Sequence, residues 1–303
     1  MTTRSLRVAP LVIAALALSA CGSSRVTADG TVGGTVGGKL AIVAAFYPLQ
    51  FATQQVGGDI VAVTSLTKPG AEPHDIELTP RDVATVSRAD LVVYEKGLQG
   101  AVDQAVESEG GDRGLDVAPS AGLDLKLDSG ATDPHFWLDP QRYSAVATVI
   151  AERLARVDPA HRADFENNAK VFEDKLATLS GEFTTGLASC QRKDIVTSHS
   201  AFGYLAKRFG MRQIAINGIS PDQEPMSGAL AAISTYAKAH GVTTIYAETL
   251  ASPAIAQTVA KETGATMATL DPIEGLTERS SGKDYFEVMR SNLSALRAGQ
   301  GCP

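Results

Sequence analysis

From Leu40 onward the chain alternates short apolar runs with stretches of helical periodicity, and this alternation restricts the possible folds more than any other feature. LAIVAAFY, IVAVTSL and DLVVYEK mark strands in the first half, with a helix opening at Thr79-Pro80 and another running through Val102 and Val106. Alternation of this kind implies parallel pairing, since a parallel crossover needs a dozen or more residues and a helix supplies them. Continuous runs such as Leu91-Val92-Val93 suit strands covered on both faces. The rhythm returns after residue 190 with DIVTSH, a helix from Ala201, RQIAIN, a helix from Met226, TTIYAE, a helix from Ser252 and ATMATLDP. The fold class is therefore α/β, with two similar lobes built on parallel-type sheets.

Between the lobes, from Pro140 to about Leu187, strand signals are missing. Phe165, Phe172, Leu176, Leu179, Phe183 and Leu187 keep to one helical face. Asp158-Pro159 divides the stretch into a shorter helix and a long one. A helix of thirty residues would be about 45 Å long, enough to run the height of a two-lobe molecule as a connecting rod. The expected organisation is an N-terminal lobe over 39–157, a connecting helix over 158–187 and a C-terminal lobe over 188–303. The tail repeats the helical pattern with Phe286, Met289, Leu293 and Leu296.

The first residues carry a different message. Arg4 and Arg7 precede an apolar run from Val8 to Leu18, then small residues and Cys21, which is the pattern of a secretory signal over 1–20. The run is short for a span of about 20 residues, and LSAC resembles a lipobox, in which the cysteine is freed and acylated. Gly, Ser and Thr dominate the next stretch, so 21–38 reads as a flexible tether from a lipid anchor at Cys21 to an extracytoplasmic domain. Loss of Arg4 and Arg7 leaves the mature chain more acidic than the formal −7 of the whole. An acidic surface with no basic stripe argues against nucleic acid. Besides Cys21 the only cysteines are Cys190 and Cys302. An exported compartment lets them pair, and the short CxxC spacing usual in a two-cysteine metal site is absent, so a Cys190–Cys302 disulfide is expected.

Three of the five histidines share a setting. His74 in KPGAEPHDIELTP, His135 in ATDPHFWLDP and His199 in IVTSHSAFG each follow a strand-like run and precede a helix start, and Asp271 ends ATMATLDP in the same way. Ligands of open α/β sheets bind at the carboxyl ends of strands. Singly, each has an ordinary explanation: a solvated loop residue, a helix cap, the first residue of an Asp-Pro turn. Jointly, three imidazoles and a carboxylate suit Zn²⁺, bound in a cleft between lobes. His161 and His240 lie on helices, His240 in a last turn before Gly241, and are set aside. Glu248, at the end of TTIYAE, and Glu72 are the alternative carboxylates. Glu248 is better suited to hold a ligand imidazole by its other nitrogen.

PGAEPHDIELTPRDV, DPHFWLDP, VTSHSAFGYLAKRFG and ATLDPIEG together resemble the zinc- and manganese-binding lipoproteins of bacterial ABC importers over nearly all of the mature chain. The resemblance implies two lobes joined by one long helix, with the metal in the cleft on His74, His135, His199 and Asp271. Histidine at 199 resembles the zinc-type members. The stretch before His135 lacks the His-rich loop many of those carry, which keeps manganese open as an alternative. Four protein ligands close the shell and leave no place for the water of a catalytic zinc, so no enzyme is expected. HExxH and GxSxG are also absent. The resulting expectation is a monomeric, lipid-anchored protein that captures Zn²⁺ outside the membrane and passes it to an ABC permease. A metallohydrolase or a surface adhesin remains as a remote alternative.

Overall fold

The computed structural model describes residues 37–127, 129–219 and 227–303; the expected signal segment, Cys21 and nearly all of the tether lie outside them. The N-terminal lobe runs β1 (Leu40–Ala44), α1 (Tyr47–Gly57), β2 (Val61–Ser65), α2 (Pro80–Arg88), β3 (Leu91–Tyr94), α3 (Gly100–Ala105), β4 (Gly114–Asp116), α4 (Ala118–Ala121) and α5 (Pro140–Val157). α6 (Arg162–Leu187) leads into β5 (Asp194–Thr197), α7 (Gly203–Phe209), β6 (Arg212–Ala215), α8 (Ser227–Ala239), β7 (Thr244–Ala247), α9 (Ala254–Thr263), β8 (Thr266–Thr269) and α10 (Tyr285–Gln300).

The sheets repeat one topology, in the orders β2-β1-β3-β4 and β6-β5-β7-β8. Within both sheets the strands pair in parallel, with Ile42 opposite Val63 on one side and Leu91 on the other, and Val196 opposite Ile214 and Ile245. In each lobe the chain winds outward from a central strand in both directions. The loops at the carboxyl ends therefore diverge around a crevice, the usual place for a ligand in an open parallel sheet.

Local chemistry fixes where the site-bearing loops end. Thr79 and Asp82 form a reciprocal capping box with Pro80 in the first turn of α2, which closes the His74 loop. Asp139 caps α5 by accepting from the Gln141 N–H at 3.0 Å, and so ends the His135 loop. At Asp158 the helical stretch breaks, and a single 3₁₀ turn, Pro159–His161, precedes α6. The connecting helix thus has 26 residues, about 39 Å at 1.5 Å each. Its buried residues Phe165, Ala169, Phe172, Leu176, Leu179, Phe183 and Leu187 form one stripe.

That stripe joins a core continuous across both lobes, which includes Phe46, Trp137, Tyr143, Phe172, Leu205 and Tyr285. A smaller cluster around Val196, Ile245 and Val259 serves the other face of the second sheet. Polar staples also tie the lobes together: Trp137 Nε1 donates to the Pro272 carbonyl at 2.7 Å, Tyr285 Oη to the Trp137 carbonyl at 2.6 Å, and Tyr204 Oη to the Asp133 carbonyl at 3.1 Å. At Gly203 the approach is so close that a Cβ would stand 2.5 Å from Asp133 Oδ2. Cys190 and Cys302 are joined in a disulfide, 112 residues apart, which ties the end of α10 to the start of the second lobe.

Candidate metal centre

Four connections that follow β2, β4, β5 and β8, the second by way of α4, converge on one point. They carry His74, His135, His199 and Glu274, whose ligand atoms all lie within 4.8 Å of one another. Glu274 Oε1 sits 3.3 Å from His74 Nε2, 3.1 Å from His135 Nε2 and 3.2 Å from His199 Nε2. The His74 and His135 Nε2 atoms are 3.2 Å apart. A tetrahedral shell with bonds of about 2.0–2.1 Å has donor atoms separated by about 3.3 Å, so these spacings are those of a shell around a zinc-sized ion. His135, His199 and Glu274 are wholly buried, and the His74 side chain is 5% exposed.

Two of the outward-facing ring nitrogens also meet carboxylates. His135 Nδ1 lies 2.8 Å from Asp133 Oδ1, which accepts the His135 backbone N–H as well. His199 Nδ1 lies 2.6 Å from Glu248 Oε1. A carboxylate at Nδ1 keeps the proton there and turns the Nε2 lone pair inward. Glu72 Oε1 accepts the His74 N–H at 2.9 Å and stays 3.9 Å from His74 Nε2, a brace for the loop. Asp133 was not among the sequence candidates, although ATDPHFWLDP sets it two residues before His135.

Asp271 does not join the group, and Glu274 takes the place expected for it. The reason is local. Asp271 Oδ1 folds back to accept the Ile273 N–H at 2.8 Å, so the carboxyl is engaged in its own turn. Asn292 pins the same residue by donating to the Asp271 carbonyl at 2.7 Å and accepting from its N–H at 2.9 Å. The chain then turns through Ile273 at φ 59, the only non-glycine described residue with positive φ. Such a conformation costs a β-branched residue on the order of 1–3 kcal/mol. One residue later Glu274, longer by a methylene, reaches the imidazoles.

Charge in the metal-free centre is balanced internally. Burial works against a charged His199, but Glu248 and Glu274 outweigh it and hold the imidazole well above its ordinary value. For His135, burial is likewise overcome by Asp133 and Glu274. His74 is shifted down, with burial dominating over Glu274. Burial alone would raise Glu274, yet His199 and hydrogen bonds from the imidazoles hold it well below the usual carboxylate range. Glu72 is pushed up to about 8 by burial and by Glu274.

Residues 42–299 match the family described as zinc-uptake complex component A, periplasmic (ZnuA). The high-affinity zinc uptake system protein ZnuA of Bacillus subtilis (strain 168) is 37% identical over 306 residues, which cover 94% of this chain and 95% of that protein. The zinc-binding protein AdcA of Streptococcus pyogenes serotype M6 is 36% identical over 290 residues, 86% of this chain but 56% of that longer protein. Among solved structures, the Zn(II)-bound ZnuA-like domain of Streptococcus pneumoniae AdcA superposes with a TM-score of 0.75 at 37% identity, over 87% of this chain and 99% of that one.

Proposed function

The chain belongs to the family of periplasmic zinc-uptake component A proteins, and we propose that it takes up its zinc ion on the Nε2 atoms of His74, His135 and His199 and on Glu274 Oε1. As a member of that family it is the extracytoplasmic zinc-binding component of an ABC-type importer, with a permease and an ATPase as partners, and it is not an enzyme. The observation that carries the donor assignment is the spacing of Glu274 Oε1, 3.1–3.3 Å from all three imidazoles.

Four protein donors complete a tetrahedral shell and leave no position for a reactive water, which suits carriage. Three imidazoles and one carboxylate favour zinc over manganese, whose preference is for carboxylate, carbonyl and water oxygens. Asp133 and Glu248 hold two of the rings in the tautomer that presents Nε2. The core shared by both lobes resists hinge opening, so release proceeds through the loops that carry the donors. We further assign residues 39–157 and 188–303 to the lobes and 158–187 to their connection, an acylated Cys21 to the membrane anchor, and a monomer to the working state.

Competition against a chromogenic chelator, with metal-stripped protein, tests the donor set. Zinc should bind far more tightly than manganese, and His135→Ala and Glu274→Gln should each weaken zinc. Unchanged zinc affinity in either variant overturns the assignment, and tighter binding of manganese overturns the choice of metal.

A further inference from the structure

We propose that Asp271 is a positioning residue for zinc capture: its carboxylate clamps the Asp271–Glu274 turn with Ile273 in the left-handed conformation, and this clamp brings the Glu274 carboxylate to the three imidazoles. The inference rests on the reading of Glu274 as a zinc donor.

Three observations on the turn support it. Ile273 is β-branched and fully buried, yet has φ 59, a conformation that side-chain sterics oppose and that must be imposed from outside. The imposing contacts converge on three consecutive residues, Asp271 to Ile273: Asp271 Oδ1 on the Ile273 N–H, the two Asn292 bonds to the Asp271 backbone, and Trp137 Nε1 on the Pro272 carbonyl. Of these, only the Asp271 bond reaches Ile273 itself, at the N–H from which its φ turns. Without it, Ile273 relaxes toward negative φ, the next Cα–Cβ vector swings, and Glu274 loses its simultaneous approach to His74, His135 and His199. Asp271 Oδ1 is taken by the Ile273 N–H and the carboxyl stays outside the cluster of His74, His135, His199 and Glu274, the placement of a brace for the turn.

The test compares Asp271→Ala, Asp271→Asn and Glu274→Gln for zinc affinity by chelator competition and for the zinc shell by X-ray absorption. Thermal melts of the metal-free proteins confirm folding. Asparagine keeps the acceptor for Ile273 and is a poor zinc ligand. Asp271→Ala is expected to weaken zinc by about 10- to 100-fold and to give the absorption spectrum of Glu274→Gln, while Asp271→Asn retains the native spectrum and most of the affinity. Glycine adopts φ near 60° freely, so Asp271→Ala should cost less in an Ile273→Gly background than in the native one. Equal loss in Asp271→Asn and Asp271→Ala, with a changed shell, makes Asp271 a ligand and overturns the proposal. Native affinity in Asp271→Ala overturns it too. If Glu274→Gln keeps native affinity, the reading of Glu274 as a donor fails instead.

Discussion

His199 Nδ1 lies 2.6 Å from Glu248 Oε1, and the same oxygen accepts the His199 backbone N–H at 3.0 Å. One carboxylate oxygen therefore fixes both the loop and the ring of a donor, across the end of the central strand pair of the second sheet. Glu248→Gln retains an acceptor oxygen for these contacts but removes the charge, and Glu248→Ala removes both. Zinc affinity should fall by about 10- to 100-fold for alanine and by less for glutamine, a range seen when outer partners of a ligating histidine are lost. Chelator competition at fixed pH reads the difference; equal loss in both variants would assign the effect to charge rather than to ring orientation.

The proton balance of the centre sets a pH dependence. In the metal-free protein Glu248 and Glu274 hold His199 above its ordinary value, so near pH 7 the ring carries a proton that zinc must expel. Binding at pH 7 should release protons from His199 and His135, both held above the ordinary value, and affinity should keep rising with pH beyond 6.5, levelling only above the raised values. The stability sign follows. A raised histidine stabilises the metal-free fold below its unfolded value, and that contribution disappears as pH rises through the folded value. Glu274, held low, contributes above its unfolded value and loses this as pH falls through the folded one. Raising pH from 6 to 9 should then widen the Tm gap between zinc-loaded and metal-free protein. Calorimetric titration in buffers of different ionisation enthalpy counts the protons, and zero release at pH 7 contradicts the assignment of the charge to His199.

Much of this was legible in the sequence for reasons that can be stated residue by residue. Leu91-Val92-Val93 is buried on both faces and reads as a parallel strand, and Phe165 through Leu187 keep one helical stripe over enough turns to be unmistakable. β4, with 3 residues, and α4, with 4, are too short to show a period. The three histidines stood out because each falls between a strand and a helix start. Glu274, the carboxylate that meets them, did not. Asp271 ends a strand and Glu274 lies in the loop beyond it, so spacing favours the aspartate. Only the fold reveals that the Asp271 carboxyl turns back on the Ile273 N–H.

The disulfide should matter to stability without touching the centre. Cys190 and Cys302 close a loop with a sequence separation of 112 residues, for which chain entropy gives up to about 4–5 kcal/mol. A Cys190→Ser, Cys302→Ser double variant should unfold at lower urea concentration, with a loss of unfolding free energy within that range, while keeping native zinc affinity. Thiol labelling of the oxidised domain without Cys21 should find no free cysteine until it is reduced and unfolded. Readily labelled thiols in the native protein would contradict the pairing.

Trp137, the chain's only tryptophan, links the loops of two donors. It stands two residues after His135, its ring 5.2 Å from that imidazole, and its indole N–H reaches the Pro272 carbonyl, two residues before Glu274, at 2.7 Å. Tyr285 returns the connection by donating to the Trp137 carbonyl at 2.6 Å. All three groups are buried, so Trp137→Phe leaves the Pro272 carbonyl without its donor, at a cost of about 1–3 kcal/mol in addition to lost packing. The loss falls where the His135 and Glu274 loops meet, so zinc affinity should drop together with metal-free stability. Tyr285→Phe also removes one hydroxyl donor, but the bond it loses ends on the Trp137 carbonyl and leaves the Pro272 contact intact. It should therefore destabilise the metal-free protein with a smaller effect on zinc. Urea unfolding paired with chelator competition separates the two variants. If Tyr285→Phe weakens zinc as much as Trp137→Phe does, the coupling of the two donor loops runs through the shared core and not through the indole hydrogen bond.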